Sequence, residues 1–443
     1  MRTDLVSRPT CLALALLALT SLHARQAYSQ TPNPNEKLQG TIVGQAQQKY
    51  ALALPPVAIL GGAAATQAGD VGNIVRADLE FSGSFELLDP TGEGRIDATR
   101  INDPKSWAGV GAQYLGLLTL RIDGTSADLR VQVFETKAGE LWLDRTYRGR
   151  APDDLRRLAH RAANEILNRI TGETGIFLTR IAYVSDVGRA KEVFLMDYDG
   201  ARVRQLTKTG VINLLPAWAS DGKRLAFVSF LSKRPQFHLL DENGTITQLR
   251  PGGGDLNASP DWSPDGTKLA FTTDRDGNSE IYLYDLISGR ESRLTRDPGI
   301  DTSPCWSPSG DQLAFTSDRS GSPQIYLMSA DGTNLRRFTY QGQYNESAAW
   351  SPDGGRVAFM SRIEGTFQLV IHELQTGKET VITSGRGNKE NPRWAADGKH
   401  LVFSGNMDGR YSIYTIRIDG TGLRRLTQGS AAVTPDWSPA QAR

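Results

Sequence analysis

The stretch that decides the fold is "SPDWSPDGTKLAFTTD", residues 259–274. It contains a proline, a tryptophan two residues later, a Ser-Pro-Asp-Gly turn and an apolar run rich in β-forming residues. Tryptophans in the same surroundings recur at intervals of 44, 44, 44, 44 and 43 residues, at Trp218, Trp262, Trp306, Trp350, Trp394 and Trp437. A repeat of this length indicates the blades of a β-propeller.

Each repeat contains the signals of four short strands. After the tryptophan strand, proline followed by Asp-Gly or Ser-Gly is typical of a tight hairpin turn. In the repeat quoted above, the next strands are "LAFTT" at 269, "IYLYD" at 281 and "SRLT" at 292. Four strands connected by polar, glycine-containing loops make one blade of a propeller.

The two ends of the repeat region complement each other. The sequence "TPDWSPAQAR", residues 434–443, opens a repeat that has no further strands. Conversely, "RIAYVS" at 180 begins a repeat that lacks its tryptophan strand. If these two segments pair, six complete blades form a closed ring without an exposed edge. The sequence therefore predicts a six-bladed β-propeller closed by the C-terminal strand, with Trp437 as its structural latch.

The region before the blades predicts a small α/β domain. One helix is expected from Asp70, its candidate N-cap, to a stop at Gly83, and a second from Asp153 or Asp154 to Gly172. The two strands at 129 and 140 are joined by "KAGE", a hairpin signal. The predicted strands are "YALALPPVAIL" at 50, interrupted by proline, "FELLD" at 85, "YLGLLTLRID" at 114, "LRVQVFET" at 129 and "ELWLDRTYR" at 140.

The first residues have the features of an export signal. Arg2 and Arg8 precede a twelve-residue apolar run that ends at Leu22, too short to span a bilayer and typical of a signal-peptide core. Cys11 lies before most of this run, so a lipid-attachment role is not favoured. The predicted organisation is a signal peptide at 1–29, a flexible N-terminal arm at 30–40, the α/β domain at 41–172 and the propeller at 176–443.

Composition narrows the function classes. Without residues 1–29, the chain has 47 basic and 48 acidic residues, a net charge of −1. There is thus no basic excess to attract nucleic acid or an anionic membrane, and no later stretch of membrane-spanning length. The remaining cysteine, Cys305, has no partner for an intramolecular disulfide and is expected to be a half-buried free thiol.

No motif for catalysis or metal binding is found. His160, on the polar flank of a predicted helix, His238, His372 and His400 share no motif, and each is expected to be an ordinary surface or packing histidine. There is no GxSxG nucleophile elbow. The segment "DRDGNSE" at 274 favours a β-turn over a calcium loop because it lacks the third acidic ligand. We therefore expect no enzyme activity, no cofactor and no metal.

The remaining candidate for a functional site is a surface formed by the loops between the blades. Loops from the outer strand of one blade to the inner strand of the next collect on one face, around the channel mouth. These loops vary while the strands do not, and they are rich in Asn, Asp, Glu, Ser and Thr. Variation on a repeated scaffold is where recognition tends to occur. The pattern favours an extended peptide or a protein face as the ligand.

Together these features resemble the TolB family, the periplasmic propeller proteins of the Tol–Pal envelope system. The resemblance covers nearly all of the chain after the leader. Its most specific parts are "RRLAHRAANEILNRITGETGIFLTRIAYVS" at 156–185 and the blades with "WSPDG" and "LAFTSDR". The motif "WSPDG…LAF" alone occurs in many propellers, but the order of signal peptide, α/β domain and six blades is specific.

The resemblance implies a non-enzymatic, periplasmic and monomeric binding protein. Such proteins bind the lipoprotein Pal through the mouth face, contact the inner-membrane protein TolA through the N-terminal arm, and support outer-membrane integrity and constriction during cell division; colicins can use the same face. The arm of this chain departs from the family pattern in its Pro and Asn content. The resemblance places Leu256, Ser259 and Thr302 against Pal. Neighbouring loop positions complete the predicted set: Asn257, Asp301, Asn345, Glu346 and Asn391.

Two other classes remain open. The first is an enzyme, either a peptidase accessory or a glycan-cleaving propeller. Such a function requires a group of reactive residues that the sequence does not show. A binding module for cell-wall glycan without Tol partners would favour aromatic residues in the mouth loops, which hold only Tyr340 and Tyr344.

Overall fold

The structure is a computed structural model that describes residues 49–88, 96, 100–249, 251 and 254–440. The predicted signal peptide and N-terminal arm lie outside these residues. The described part contains an α/β domain followed by six four-stranded sheets. This arrangement confirms the predicted fold class.

The N-terminal domain is built on one mixed sheet. The strand order is β3-β1-β4-β5-β6, and β2 also pairs with β4. The first three strands run parallel to their partners, whereas β4, β5 and β6 form an antiparallel meander. The strands are β1 (Tyr50–Ala53), β2 (Ala58–Gly61), β3 (Phe85–Leu88), β4 (Tyr114–Asp123), β5 (Ser126–Glu135) and β6 (Glu140–Arg150).

The domain has three described helices, α1 (Ala65–Ser82), α2 (Pro104–Ala108) and α3 (Leu155–Thr171). The prediction of Asp70 as N-cap was wrong, because α1 begins earlier, where Gln67 Oε1 accepts a 2.9 Å hydrogen bond from Ala64 N. The predicted stops are confirmed, since Gly83 and Gly172 adopt φ of 75° and 77°, a left-handed conformation that favours glycine.

Each propeller blade is a four-stranded antiparallel sheet whose tryptophan strand lies innermost. Blade 1 combines β30, β7, β8 and β9, and blades 2 to 6 follow in chain order from β10 to β29. The inner strands are β10 (Asn213–Trp218), β14 (Asn257–Trp262), β18 (Asp301–Trp306), β22 (Asn345–Trp350), β26 (Lys389–Trp394) and β30 (Ala432–Trp437).

The remaining strands of the blades follow the same order. The second strands are β7 (Arg180–Val187), β11 (Leu225–Ser229), β15 (Lys268–Thr273), β19 (Gln312–Ser317), β23 (Arg356–Ile363) and β27 (His400–Gly405). The third are β8 (Ala190–Asp197), β12 (Gln236–Leu240), β16 (Glu280–Asp285), β20 (Gln324–Ser329), β24 (Thr366–Glu373) and β28 (Ser412–Arg417). The outer are β9 (Arg204–Gln205), β13 (Ile246–Gln248), β17 (Glu291–Arg293), β21 (Arg336–Arg337), β25 (Glu379–Val381) and β29 (Arg424–Arg425).

The C-terminal strand closes the ring as predicted. Strand β30 pairs antiparallel with β7, placing Trp437 opposite Ile181. The Trp437 ring is 5% exposed, and its Nε1 donates a 2.8 Å hydrogen bond to Thr179 Oγ1. The two incomplete repeats at the ends of the propeller sequence thus build one blade.

The core of the propeller repeats with the blades. The second strands of blades 2 to 6 each bury one phenylalanine completely, at Phe227, Phe271, Phe315, Phe359 and Phe403. A fully buried side chain of this size contributes about 1.5–3 kcal/mol relative to an exposed one. The residues on either side of each phenylalanine are also buried, so these strands are covered on both faces of the sheet.

The N-terminal domain docks on the propeller through buried polar contacts. His160 of α3 is 1% exposed, and its Nδ1 lies 2.7 Å from Asp78 Oδ2, while Tyr198 of blade 1 donates to the same carboxylate. At blade 6, the His400 ring stacks on Phe81 with 4.3 Å between centroids. The expectation of His160 on a polar flank was wrong, because that flank of α3 is covered at the junction.

Candidate partner-binding face

The six inner strands share one unusual backbone feature. Three residues before each tryptophan the register with the second strand shifts at a β-bulge, and the bulged residue has φ between 47° and 57°. Left-handed conformations outside glycine are costly and persist only where the surrounding structure holds them. The six residues form a bulge ring around the channel: Leu215, Ser259, Ser303, Ser347, Asn391 and Thr434.

The preceding blade supports this ring at two positions. Ser303 N donates a 3.2 Å hydrogen bond to Thr272 Oγ1, and Ser347 N donates one of 3.3 Å to Thr316 Oγ1. Thr434 enters the ring only because the C-terminal strand is in place. Closure of the propeller and completion of the channel mouth are therefore the same structural event.

Buried polar residues hold the loops that lead into the inner strands. Gln324 Oε1 accepts hydrogen bonds of 2.8 Å from both Thr339 Oγ1 and Asn345 Nδ2. In blade 3, Glu280 accepts from Thr295 Oγ1 at 2.5 Å. These bonds give the buried Gln324 and Glu280 side chains polar partners in the loops that follow their blades. Buried hydrogen bonds therefore hold these loops against their blades, although the exposed loop positions vary in sequence.

Three of the predicted partner-contacting residues belong to this buried support. Asn257, Asp301 and Asn345 are each at most 1% exposed. Asn257 Nδ2 donates to Pro235 O at 3.1 Å, and Asp301 Oδ2 accepts from Arg319 Nη2 at 2.7 Å. These side chains are buried and support the loops in this structure, and their contact with a partner stays a prediction.

The other five predicted residues lie at the mouth. Ser259 and Asn391 are members of the bulge ring. Thr302 and Glu346 are half-buried one position before the bulge of their blades. Leu256 is 37% exposed at the residue before its inner strand. The repeat thus places all five on one rim, and their contact with a partner stays a prediction.

The same rim also carries an arc of apolar residues that was not predicted from the sequence. The residue directly before the inner strand is Ile212 in blade 2, Leu256 in blade 3 and Ile300 in blade 4. These side chains are 39%, 37% and 51% exposed. Aligning the repeats on their tryptophans would have shown all three, but only Leu256 was predicted. Grouped exposed apolar residues indicate an interaction site.

The opposite part of the rim is acidic. Glu346 in blade 5 and Glu390 in blade 6 occupy equivalent positions, and each accepts a hydrogen bond from a tyrosine hydroxyl, Tyr344 at 3.1 Å and Tyr411 at 2.8 Å. Burial raises the pKa of Glu346, and the neighbouring Glu390 raises it further. The mouth therefore presents an apolar side and an acidic side.

Deeper in the channel, charged residues connect the blades. Asp436 Oδ2 accepts a 2.6 Å hydrogen bond from Trp218 N, and Asp261 Oδ2 accepts one of 2.8 Å from Trp306 N. Arg393 Nε lies 3.4 Å from Asp436 Oδ1. Burial raises the pKa of Asp436 to about 7 and that of Asp261 to about 6. Each aspartate thus joins its blade to the next one.

The bulge ring encloses only about 50 Å³, space for water or an ion but not for an organic substrate.

Three further sequence predictions concern a possible calcium loop, the free thiol and metal binding. In the "DRDGNSE" segment, Asp276 Oδ2 accepts a 2.8 Å hydrogen bond from Arg293 Nη1. Cys305 is more buried than expected, 7% exposed, and burial raises its pKa to about 12. No group of metal-ligating side chains occurs among the described residues.

Within the described part of the chain, no helix combines the length and apolarity that a membrane crossing requires.

The fold defines a class: a six-bladed β-propeller with an N-terminal α/β domain. The family model described as "TolB beta propeller domain" matches residues 167–441, and "TolB amino-terminal domain" matches residues 39–140. The chain belongs to the TolB family.

Similar proteins agree with this assignment. "Tol-Pal system protein TolB" of Geobacter metallireducens is 35% identical over 222 residues, 49% of this chain and 48% of the relative. The protein of the same name from Geobacter sulfurreducens is 36% identical over 220 residues, 48% of each chain. The match thus spans about half the length of these curated relatives. The crystal structure of TolB from Acinetobacter baumannii has a TM-score of 0.78 at 27% identity, covering 89% of this chain and 98% of that one.

Proposed function

We propose that this protein is a non-enzymatic, partner-binding component of the Tol–Pal system that binds the lipoprotein Pal through the channel-mouth face. Membership of the TolB family supports a place in that system. The observation that carries the choice of surface is the apolar arc of Ile212, Leu256 and Ile300 on the rim. Association buries apolar surface at the centre of an interface and leaves polar groups at its edge.

The geometry of the rim suits a protein ligand. Thr302 and Ser259 lie next to the arc on strands with a β-bulge, and Ser303, beside Thr302, donates a hydrogen bond to Thr272 of the preceding blade. A rigid surface loses little conformational entropy when a partner binds. The half-buried Glu346, on the acidic side, would accept a basic or hydrogen-bonding group of the partner.

The remaining parts of the proposal concern export, the N-terminal arm and further partners. We place the protein in the periplasm as a monomer after removal of residues 1–29, and assign TolA binding to the arm at 30–40. The protein would then link Pal with TolA, supporting outer-membrane integrity and constriction during cell division, and colicins would compete at the mouth. Sequencing of the N-terminus of the exported chain checks the first step, and a start near Gln30 is expected.

The experiment is a titration of the purified protein with the soluble domain of Pal. Thr302→Arg places a long charged side chain on the rim and should weaken binding by about tenfold or more, since removing or blocking one central contact typically costs more than 1 kcal/mol. Thermal stability should change little, because surface substitutions usually stay within about 0.5 kcal/mol.

The matched control is Thr333→Arg, the same substitution in the same blade. Thr333 is exposed in the turn between β20 and β21, at the edge of the blade away from the mouth. This variant should bind Pal like the unchanged protein. Equal affinity of both variants would refute the mouth as the Pal site. Binding to purified peptidoglycan without any affinity for Pal would instead support the wall-glycan alternative.

A further inference from the structure

A second cleft lies between blades 1 and 2, on the other face of the propeller. It measures about 520 Å³ and lies between the turns at 221–223 and 241–244. These turns connect first to second and third to outer strands, so they occupy the edge opposite the mouth loops. Trp218 lines the cleft and is half-buried, whereas the other five repeat tryptophans are at most 9% exposed.

The cleft contains Arg180, which lacks the aspartate partner that the equivalent arginine of blade 2 has. In blade 2, Arg224 Nε donates to Asp221 Oδ2 at 2.8 Å and its Nη2 donates to Gly266 O at 3.3 Å. The equivalent arginine of blade 1 is Arg180, but Phe177 stands where the aspartate would be. Blade 1 has this difference because its second strand follows the N-terminal domain instead of a turn.

Arg180 therefore carries a charge without an ion-pair partner among the described residues. Its guanidinium carbon lies 5.6 Å from the ring centre of Trp218. Burial lowers the pKa of Arg180, and the nearby Arg204 lowers it further. Asp197 is close, but Arg202 Nε and Arg156 Nε already bind it, at 2.7 and 3.3 Å. Arg180 and Arg204 form no ion pair within the described chain, and so make a cationic wall.

The wall contributed by blade 2 is anionic. Asp241 Oδ1 accepts hydrogen bonds from Asn243 N at 2.9 Å and Thr245 N at 2.8 Å. These bonds lower the pKa of Asp241 and keep it ionised. Glu242 lies 3.9 Å from Lys223, with both side chains more than half exposed, so that pair is weak.

The base of the cleft is apolar. Four leucines contribute to it, Leu195, Leu206, Leu225 and Leu240. With one cationic and one anionic wall, the site is complementary to a ligand that carries both charges and an apolar body. Its volume falls within the range of about 300–1,000 Å³ typical of small-ligand sites.

We propose that this cleft binds a short zwitterionic peptide, with its carboxylate at Arg180 and Arg204, its ammonium group at Asp241 and Glu242, and an apolar side chain against Trp218 and the leucines. An arginine–carboxylate contact is a charge-assisted hydrogen bond, roughly twice as strong as a neutral one. The proposal is independent of Pal binding, because it concerns the opposite face.

The test uses the dipeptide Ala-Leu as probe, followed through the indole ¹H–¹⁵N signal of Trp218, which Trp218→Phe identifies. Ala-Leu should shift this signal in a saturable way. Amidation of its carboxylate or acetylation of its amino group should each weaken binding about tenfold, because each removes one charged contact. Inorganic phosphate should bind more weakly than the dipeptide.

Arg180→Gln should abolish the shift, and Arg180→Lys should retain part of it. The matched control is Arg356→Gln, the equivalent arginine of blade 5, whose Nη2 donates to Gly398 O at 3.1 Å; this variant should bind Ala-Leu normally. If Arg180→Gln fails to fold, the exposed Arg204→Gln gives the same readout. No saturable shift, equal binding of capped dipeptides, or tighter binding of phosphate would each overturn the proposal.

Discussion

Blade 1 and blade 4 have the same sheet but are assembled from different parts of the chain. Blade 4 is one continuous segment, 301–337, whereas blade 1 joins the strands at 180–205 to a strand from 432–437. The pairing is nevertheless equivalent, with Trp437 opposite Ile181 and Trp306 opposite Leu313. Strand pairing and side-chain packing, rather than chain continuity, therefore define a blade.

The two blades differ in how their tryptophans are held. The Trp437 Nε1 donates to Thr179 Oγ1, but the buried Trp306 Nε1 has no acceptor among the described residues. The preceding position is Asp436 in blade 1 and Cys305 in blade 4. Blade 1, which associates from distant segments, thus has a tryptophan side-chain hydrogen bond that blade 4 lacks and a carboxyl group where blade 4 has a thiol.

Removing residues 433–443 should have the largest effect. The deletion takes a strand from blade 1, removes Trp437 from the core and exposes the edge of β7. Loss of one buried tryptophan alone typically costs about 3–5 kcal/mol, against a total stability of about 5–15 kcal/mol. We expect a much lower melting temperature and self-association through the free edge, measured by calorimetry and light scattering. A monomer with an unchanged melting temperature would contradict closure by this strand.

A smaller effect separates the two tryptophans. Trp437→Phe should cost more than Trp306→Phe by about 0.5–1.5 kcal/mol, because only the former removes a hydrogen bond and leaves Thr179 without its donor. Urea unfolding of both variants gives the difference. Equal costs would show that the Thr179 contact does not contribute to the latch.

A third prediction concerns the pH dependence of stability. Burial raises the pKa of Asp436 from 3.8 to about 7. The folded protein thus holds this proton more tightly, and the resulting stability is complete below about pH 4 and is lost as the pH rises through 7. Asp436→Asn should flatten this decline in the free energy of unfolding. Cys305→Ser should not, because the pKa of Cys305 is raised to about 12 and its thiol stays neutral. Equal pH profiles for all three proteins would exclude Asp436 as the source.

Much of the architecture could be predicted because the same strand and turn pattern recurs several times in the sequence. Six tryptophans at a regular spacing, five of them followed by a turn and an apolar strand, fix the blade count and pair the two incomplete repeats. The start of α1 could not be predicted in this way, because its N-cap position is Ala64 and Asp70 offered a false signal.

The candidate face was predicted only in part. Asn257, Asp301 and Asn345 have the polar composition of a binding loop, yet it is tertiary packing that buries them. The same limit applies to His160, whose burial depends on Asp78 and Tyr198, distant in sequence. In contrast, Ile212 and Ile300 could have been found, because they occupy the repeat position of Leu256.

Amide hydrogen exchange of the intact protein tests closure of the ring by the C-terminal strand most directly. The comparison is of β30 with β18 and of β7 with β19. If the C-terminal strand completes blade 1, residues 432–437 should be protected as strongly as 301–306, and both should exchange only through global or blade-wide opening. Rapid exchange of 432–437 and of the adjoining edge of β7, with β18 and β19 still protected, would contradict ring closure by the C-terminal strand.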